Sequence, residues 1–320
     1  MPNLTVAVIG PEGYAGHLGK KGTSSDITFY NLKRDRVTVT VVEPSRYPEK
    51  LASLFFALSL AEKAVLVVDE INAAFGECVL MLDTMGKKNG VIVLRNYLPP
   101  EQVEPLVKGT VVEGYSREPD DAGHLRELFL SEASRLEQPA KAPGKGSVPV
   151  DHTCNVKGVG VVALGGVACG AIHRHKQLRV LPGGKTALVR SIQVHDDDVE
   201  VAVAGDRVGL ALKGVEVGDL DRGSVLSSDP DMIAESTLTG RAELVKYWPA
   251  PLKEQMVLYA GHWMQFLPAR VAFVDNSGDW RRPKVTLRCD KELVHPPGAT
   301  VVLHYLEGGR LRVVGRLALS

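Results

Sequence analysis

Hydrophobic residues come in two textures along this chain. Over the first 137 residues, near-continuous Val/Ile/Leu runs at 5–9, 36–42, 64–68, 90–94 and 110–113 alternate with amphipathic helical patterns. Runs without polar alternation predict strands buried on both faces, hence a mainly parallel sheet covered by helices, with ligands expected at the carboxyl ends of its strands. From Val150 onward the texture changes to short alternating strands separated by glycine turns such as "PGG", "AGD" and "RGS". That pattern predicts β-barrels, and the turn cluster "SSDPD" near Asp229 divides two sets of strands. The intervening stretch "QPAKAPGKGSVP", 138–149, has no periodicity and predicts a linker. The chain therefore reads as α/β plus all-β: a parallel-sheet domain over 1–137, a linker over 138–149, and barrels over 150–228 and 229–320.

Composition narrows this picture without redirecting it. At 320 residues and 44% hydrophobic content the chain can bury the cores of two or three domains. No apolar run approaches the roughly 20 residues of a membrane helix, and the amino terminus lacks the basic-then-apolar layout of a secretory signal, so a cytoplasmic protein without a membrane partner is expected. Cys78, Cys154, Cys169 and Cys289 form no C-x-x-C pair, which predicts free thiols and neither a zinc knuckle nor a disulfide framework. The 38 basic and 38 acidic residues cancel, so any contact with nucleic acid must be local.

Candidate chemistry begins where the first strand breaks, in "VAVIGPEGYAGHLGKKGTSSDI". A phosphate-binding loop of the form G-x-x-x-x-G-K-[ST] works because successive backbone N–H groups converge on phosphate oxygens, the lysine reaches the terminal phosphates and the hydroxyl holds magnesium. Here Gly10 follows the strand, but Ala15 stands five residues later, and no G-K-[ST] occurs at any offset through Gly13, Gly16, Gly19, Lys20 and Lys21. The loop looks shortened. Losing three charge-assisted hydrogen bonds removes about 5–9 kcal/mol, against about −8 kcal/mol for a micromolar site. Two readings stay open: lysines that solvate a surface turn, or a glycine nest that still holds an anion.

The second domain carries a family resemblance. "VDHTCNVKGVGVVALGGVACGAI" and "VRSIQVHDDDVEVAVAGDRVGLALKGVEVGDLDRGSVL" contain K-G-V-G, S-I-Q-x-H, A-G-D-x-V-G-L and R-G-x-V-L elements in one order. The segment resembles the second domain of translation elongation factors of the Tu and archaeal selenocysteine-specific type, over about 80 residues. "KKGTSSDITFYN" is similar to the switch I segment of the selenocysteine factors, with Ser24 at the place of the magnesium-sensing threonine. The resemblance implies a P-loop GTPase-like domain followed by two barrels, and "LRVVGRLALS" fits the end of the last shared barrel.

Carried over onto this sequence, the nucleotide motifs are altered throughout. The D-x-x-G segment falls on Glu43-Pro44-Ser45-Arg46, Tyr47 takes the place of the water-positioning histidine, and the N-K-x-D segment falls on Arg95-Asn96-Tyr97-Leu98, with no carboxylate to read guanine. Glu43 and Asp69 could attract a cation near the strand ends; solvated or ion-paired carboxylates are the simpler expectation. The resemblance thus implies a degenerate GTPase domain, with Gly10, Gly13, Gly16, Gly19, Lys20, Lys21, Ser24, Glu43 and Asn96 as a degenerate nucleotide set, no catalytic residue, no metal and no cofactor. It further implies tRNA or aminoacyl-tRNA and the ribosome as partners, and a surface for the tRNA end around Asp151, His152, Lys157, Gly158, Arg190 and His195. The alternatives are an active translational GTPase that uses GTP and magnesium to deliver a specialised aminoacyl-tRNA, and a regulatory factor that protects ribosomes.

Two further stretches carry chemistry. In "HRH", His173 and His175 could serve a metal only with a third ligand nearby; solvated histidines are the simpler expectation. "GDWRRPKVTLRC" sets Trp280 beside Arg281, Arg282 and Lys284, which suits either base stacking with phosphate pairing or a tryptophan parked on the barrel.

Overall fold

A computed structural model describes residues 2–136, 145–308 and 311–320. Most of the expected linker lies outside the described residues. Its last part does not: a strand begins at Ser147.

The amino-terminal region contains β1 Asn3–Ile9, β2 Lys20–Ser24, β3 Ile27–Arg34, β4 Val37–Pro44, α1 Leu51–Leu60, β5 Lys63–Val68, α2 Ala73–Thr84, β6 Gly90–Leu94, α3 Pro100–Val107, β7 Ser116–Glu118 and α4 Ala122–Arg135. Its seven-stranded sheet has the order β2-β3-β4-β1-β5-β6-β7. β4, β1, β5, β6 and β7 run parallel, and the β2–β3 hairpin adds an antiparallel edge. Every residue of β1 and β5 is buried, as continuous apolar runs require. Two helix starts carry side-chain caps. The Asn72 side chain accepts the Phe75 N–H at the start of α2, and Asp121 accepts the N–H groups of Gly123 and His124 at the start of α4. Helix α1, apolar on almost every side, is buried along most of its length.

One expected strand is not a strand. Residues 110–113 were predicted to extend the sheet, but Val111–Gly114 forms a 3-10 turn and the edge strand starts later, at Ser116. The reason is local: the Thr110 side chain accepts the Val112 N–H, and this cap outweighs the β preference of Thr-Val-Val.

The first barrel uses β8 Ser147–Val156, β9 Gly160–Gly166, β10 Ala171–His173, β11 Gln177–Leu181, β12 Thr186–Val194, β13 Asp197–Val199, β14 Val201–Val203, β15 Arg207–Lys213 and β16 Val225–Ser227. The order β11-β16-β8-β9-β15-β12 closes through a β11–β12 pairing; β13 flanks β12, while β10 and β14 form a separate pair. The second barrel closes as β17-β20-β19-β18-β21-β22, with β17 Ile233–Leu244, β18 Val257–His262, β19 Gln265–Asp275, β20 Lys284–His295, β21 Thr300–His304 and β22 Val313–Leu319. By contacts the chain forms two compact units. One comprises Met1–Glu137, Leu244–Pro249 and Val302–Arg316; the other comprises Gln138–Glu243, Ala250–Val301 and Leu317–Ser320. No helix among the described residues is long and apolar enough to cross a membrane, and all four cysteines are free thiols.

The second barrel carries a pH-dependent element. The His262 ring donates from Nδ1 to the Thr300 carbonyl at 3.1 Å, its Nε2 is buried with no hydrogen-bond partner among the described residues, and the His295 ring lies 6.4 Å away. Burial, with His295 as a smaller contributor, pushes His262 down to about 4. The folded state therefore takes up this proton later than the unfolded chain does, whose imidazole titrates near 6.5. Stability from this group is complete above pH 6.5 and is lost as pH falls toward 4, by about 2–3 kcal/mol. Urea midpoints measured from pH 7 to 4 should show this loss, and His262→Phe should flatten the difference.

Candidate functional site

The carboxyl ends of the parallel strands are occupied by the chain itself. After β1, Gly10 has φ +141 and passes so close to β5 that an added Cβ would lie 2.3 Å from the Val67 carbonyl oxygen. The chain turns at Gly13, which has φ +87, into a single 3-10 turn, Tyr14–His17. The Gly16 N–H donates to the Gly13 carbonyl at 3.1 Å and the Leu18 N–H to the Ala15 carbonyl at 2.9 Å. The Ala15 N–H donates to Glu43 Oε1 at 3.1 Å, and Glu43 Oε2 accepts the Tyr30 hydroxyl at 3.1 Å. Glu43, at the end of β4, is only 4% exposed. A buried carboxylate thus takes up an amide of the very turn in which amides would have to converge on phosphate.

Side chains of the turn fill the space above the sheet. Tyr14, Ala15 and Leu18 are buried in the cluster that holds Val8, Val67, Val93 and Phe129. The Tyr14 hydroxyl donates to Asp120 Oδ1 at 2.8 Å, Arg95 Nε donates to Asp120 Oδ2 at 2.9 Å, and the Arg95 guanidinium stands 5.5 Å from the centre of the Tyr14 ring. Burial first, and the hydrogen bond to Asp120 second, raise the Tyr14 phenol well above the usual range. Tyr30 is pushed up to about 12 by burial and by Glu43. Both phenols are neutral donors. Sequence reasoning missed Tyr14, Tyr30, Arg95 and Asp120 as a group; the available signal was a bulky aromatic inside a loop that needs close backbone approach.

The remaining residues expected around a nucleotide are dispersed. Gly16 lies against the Tyr30 ring and Gly19 against the Asn31 backbone. Lys20 and Lys21 are exposed on β2, which pairs with β3 at the sheet's edge, three strands from β1 or roughly 14 Å at about 4.8 Å per strand. The Ser24 hydroxyl bonds Thr28, which in turn bonds Ser45. Asn96, with φ +52, donates to the Asp69 carbonyl at 3.3 Å, and the adjacent Tyr97 side chain is fully exposed.

On the first barrel, the structure brings together three of the six residues expected at a tRNA-end surface and leaves the other three apart. Lys157, Gly158 and Arg190 come together: Gly158, with φ +83, forms the β8–β9 turn, and Arg190 donates to the Val159 carbonyl at 3.1 Å. His152 is exposed on β8 opposite Leu164. His195 and Asp196, both at positive φ, form the tight turn after β12. That turn lies five residues from Arg190 along the strand, about 16 Å at about 3.3 Å per residue. Asp151 presents no free carboxylate. It is buried, both of its oxygens are bound by Arg207, and its carbonyl accepts Arg222 Nε at 3.1 Å.

Among the described residues no group of three His, Cys, Asp or Glu side chains is placed to hold a metal, and His173 and His175 gain no third ligand. Arg281 stacks 4.1 Å from the Trp280 ring centre, so the tryptophan already carries its own cation.

A sequence profile of elongation factor Tu domain 2 matches residues 160–227. An uncharacterized protein of Methanocaldococcus jannaschii is 39% identical over 236 residues, covering 73% of this chain and 75% of its own length. The selenocysteine-specific elongation factor of the same organism is 26% identical over 271 residues, covering 79% of this chain and 58% of its own length. Among solved structures, translation elongation factor SelB of Methanococcus maripaludis in complex with the GTP analogue GppNHp superposes with a TM-score of 0.84 at 20% identity, covering all of this chain and 79% of that one. The shared fold is a mixed parallel-sheet domain followed by two six-stranded barrels.

Proposed function

This chain belongs to the translation elongation factor family, and on that premise we propose that it works without nucleotide, as a scaffold that binds tRNA or the ribosome in the cytoplasm and neither binds nor hydrolyses GTP. The observation that carries this reading is the Glu43 carboxylate bonded to the Ala15 amide while Tyr14 fills the crevice beside it. The residues there do not suit a triphosphate with magnesium. A phosphate brought to this turn would meet a buried carboxylate, and Lys20 and Lys21 sit on an edge strand. Like charges in a desolvated crevice repel strongly, so the anion is excluded and not merely left unsupported.

RNA contact then falls to the barrels. Support comes from the juxtaposition of Lys157, Gly158 and Arg190, all exposed, at one end of the first barrel. A backbone turn flanked by two cations suits the phosphates and sugar edges of a single-stranded RNA end. The doubly substituted Lys157→Ala, Arg190→Ala protein should bind a tRNA transcript about 5–10-fold more weakly, with a salt slope lower by about one to two and an unchanged melting temperature. Filter binding with tRNA, and sedimentation with ribosomal subunits, each with and without GTP, test the reading itself. Association with either partner, unaltered by GTP, is the expected result. Association with neither would overturn it.

A further inference from the structure

Resting on the nucleotide-independent reading above, we propose that Arg312 and Glu77 form an ionic strap that fixes residues 43–50 in one conformation whatever nucleotide is present. Within the first unit, the Arg312 guanidinium serves two segments at once. Its Nε donates to Glu77 Oε1 at 2.8 Å, a second nitrogen binds Glu77 Oε2, and a third donates to the Pro48 carbonyl at 2.9 Å. Glu77 belongs to α2 and is 7% exposed; Pro48 lies in the segment that follows β4. A forked pair of this kind is shorter and stronger than a point-charge contact, and its planar geometry allows little play.

The same segment has other internal anchors. The Tyr47 hydroxyl donates to the Ala74 carbonyl at 2.9 Å, beneath the Arg312 guanidinium, which stands 6.0 Å from its ring centre. At the other end, the Ser45 N–H donates to the Asp26 carbonyl at 2.9 Å, the Ser45 hydroxyl bonds Thr28, and Glu43 holds the Ala15 amide. A segment that switches needs two states close in free energy and a ligand that prefers one of them. Here the anchors that such a ligand would supply are built into the chain, and the strap's removal is what should restore mobility.

Hydrogen–deuterium exchange on the full chain, with and without GTP and magnesium, tests this. In the wild type the hydrogen-bonded amides of this segment, those of Ser45, Tyr47 and Lys50, should be protected and should change less than twofold on adding nucleotide. In Arg312→Ala they should exchange at least tenfold faster. Residues 63–68 of β5 serve as the internal control for folding. If Arg312→Ala also exposes them, Arg312→Lys, which keeps the charge but not the fork, decides: faster exchange at 45–50 with β5 unchanged supports the strap, and wild-type exchange overturns it. Exchange at 45–50 that responds to nucleotide in the wild type also overturns it. Protection by nucleotide confined to residues 10–21 would instead defeat the nucleotide-independent reading and leave the strap standing.

Discussion

Replacing Gly10 with alanine should cost about 3–5 kcal/mol, a large fraction of the roughly 5–15 kcal/mol by which a folded protein is ordinarily stable. Two effects add. At φ +141 an L-residue is strained, and the new Cβ would stand 2.3 Å from the Val67 carbonyl oxygen, so β1 and β5 would have to move apart in a core where neighbouring residues are fully buried. The close approach of the chain to β5 just past the end of β1 thus gives this glycine a reason to be there that involves no phosphate. Guanidinium unfolding of Gly10→Ala should show a strongly lowered midpoint. A midpoint within the error of the wild type would mean that the approach of Gly10 to Val67 is looser than described.

Asp151→Ala should destabilise the first barrel by about 3–5 kcal/mol, because it leaves the Arg207 guanidinium largely buried without its forked carboxylate. Asp151 also fixes Arg222 through its backbone, an interaction the substitution keeps. The diagnostic comparison is with Lys157→Ala. The aspartate variant should lose stability and lose RNA binding only in proportion to the unfolded fraction, whereas the lysine variant should lose affinity at full stability. Thermal melts beside binding isotherms separate the two. If Asp151→Ala melts like the wild type yet fails to bind tRNA, the carboxylate belongs to the binding surface and the structural role assigned to it is mistaken.

These two residues also show where sequence reasoning carries and where it stops. The parallel strands were legible because burial on both faces writes itself as unbroken apolar runs; β1, β4, β5 and β6 stand within two residues of their expected bounds. The β2–β3 hairpin was not legible, since Lys-Lys-Gly-Thr-Ser on an exposed edge has no apolar period to betray it. The 3-10 turn at 111–114 was hidden by β-branched residues whose cap decides the local geometry.

At the candidate site, the loss of the G-K-[ST] arrangement could be read directly, but what replaced it could not. Tyr14 is 106 residues from Asp120, and Ala15 is 28 from Glu43. Such partners are chosen by the sheet's strand order, and nothing in a single sequence marks them. Asp151 illustrates the same limit. A polar pair such as Asp-His at the start of a barrel looks like a turn cap or a binding edge until Arg207, 56 residues away, is seen bonded to it.

The most direct test of the central claim is a titration of the full chain with a fluorescent GTP analogue in the presence of magnesium. The predicted result is no saturable signal up to about millimolar concentration, in keeping with a loss of about 5–9 kcal/mol from a micromolar site. Saturation below micromolar, displaced by GDP and not by ATP, would contradict it.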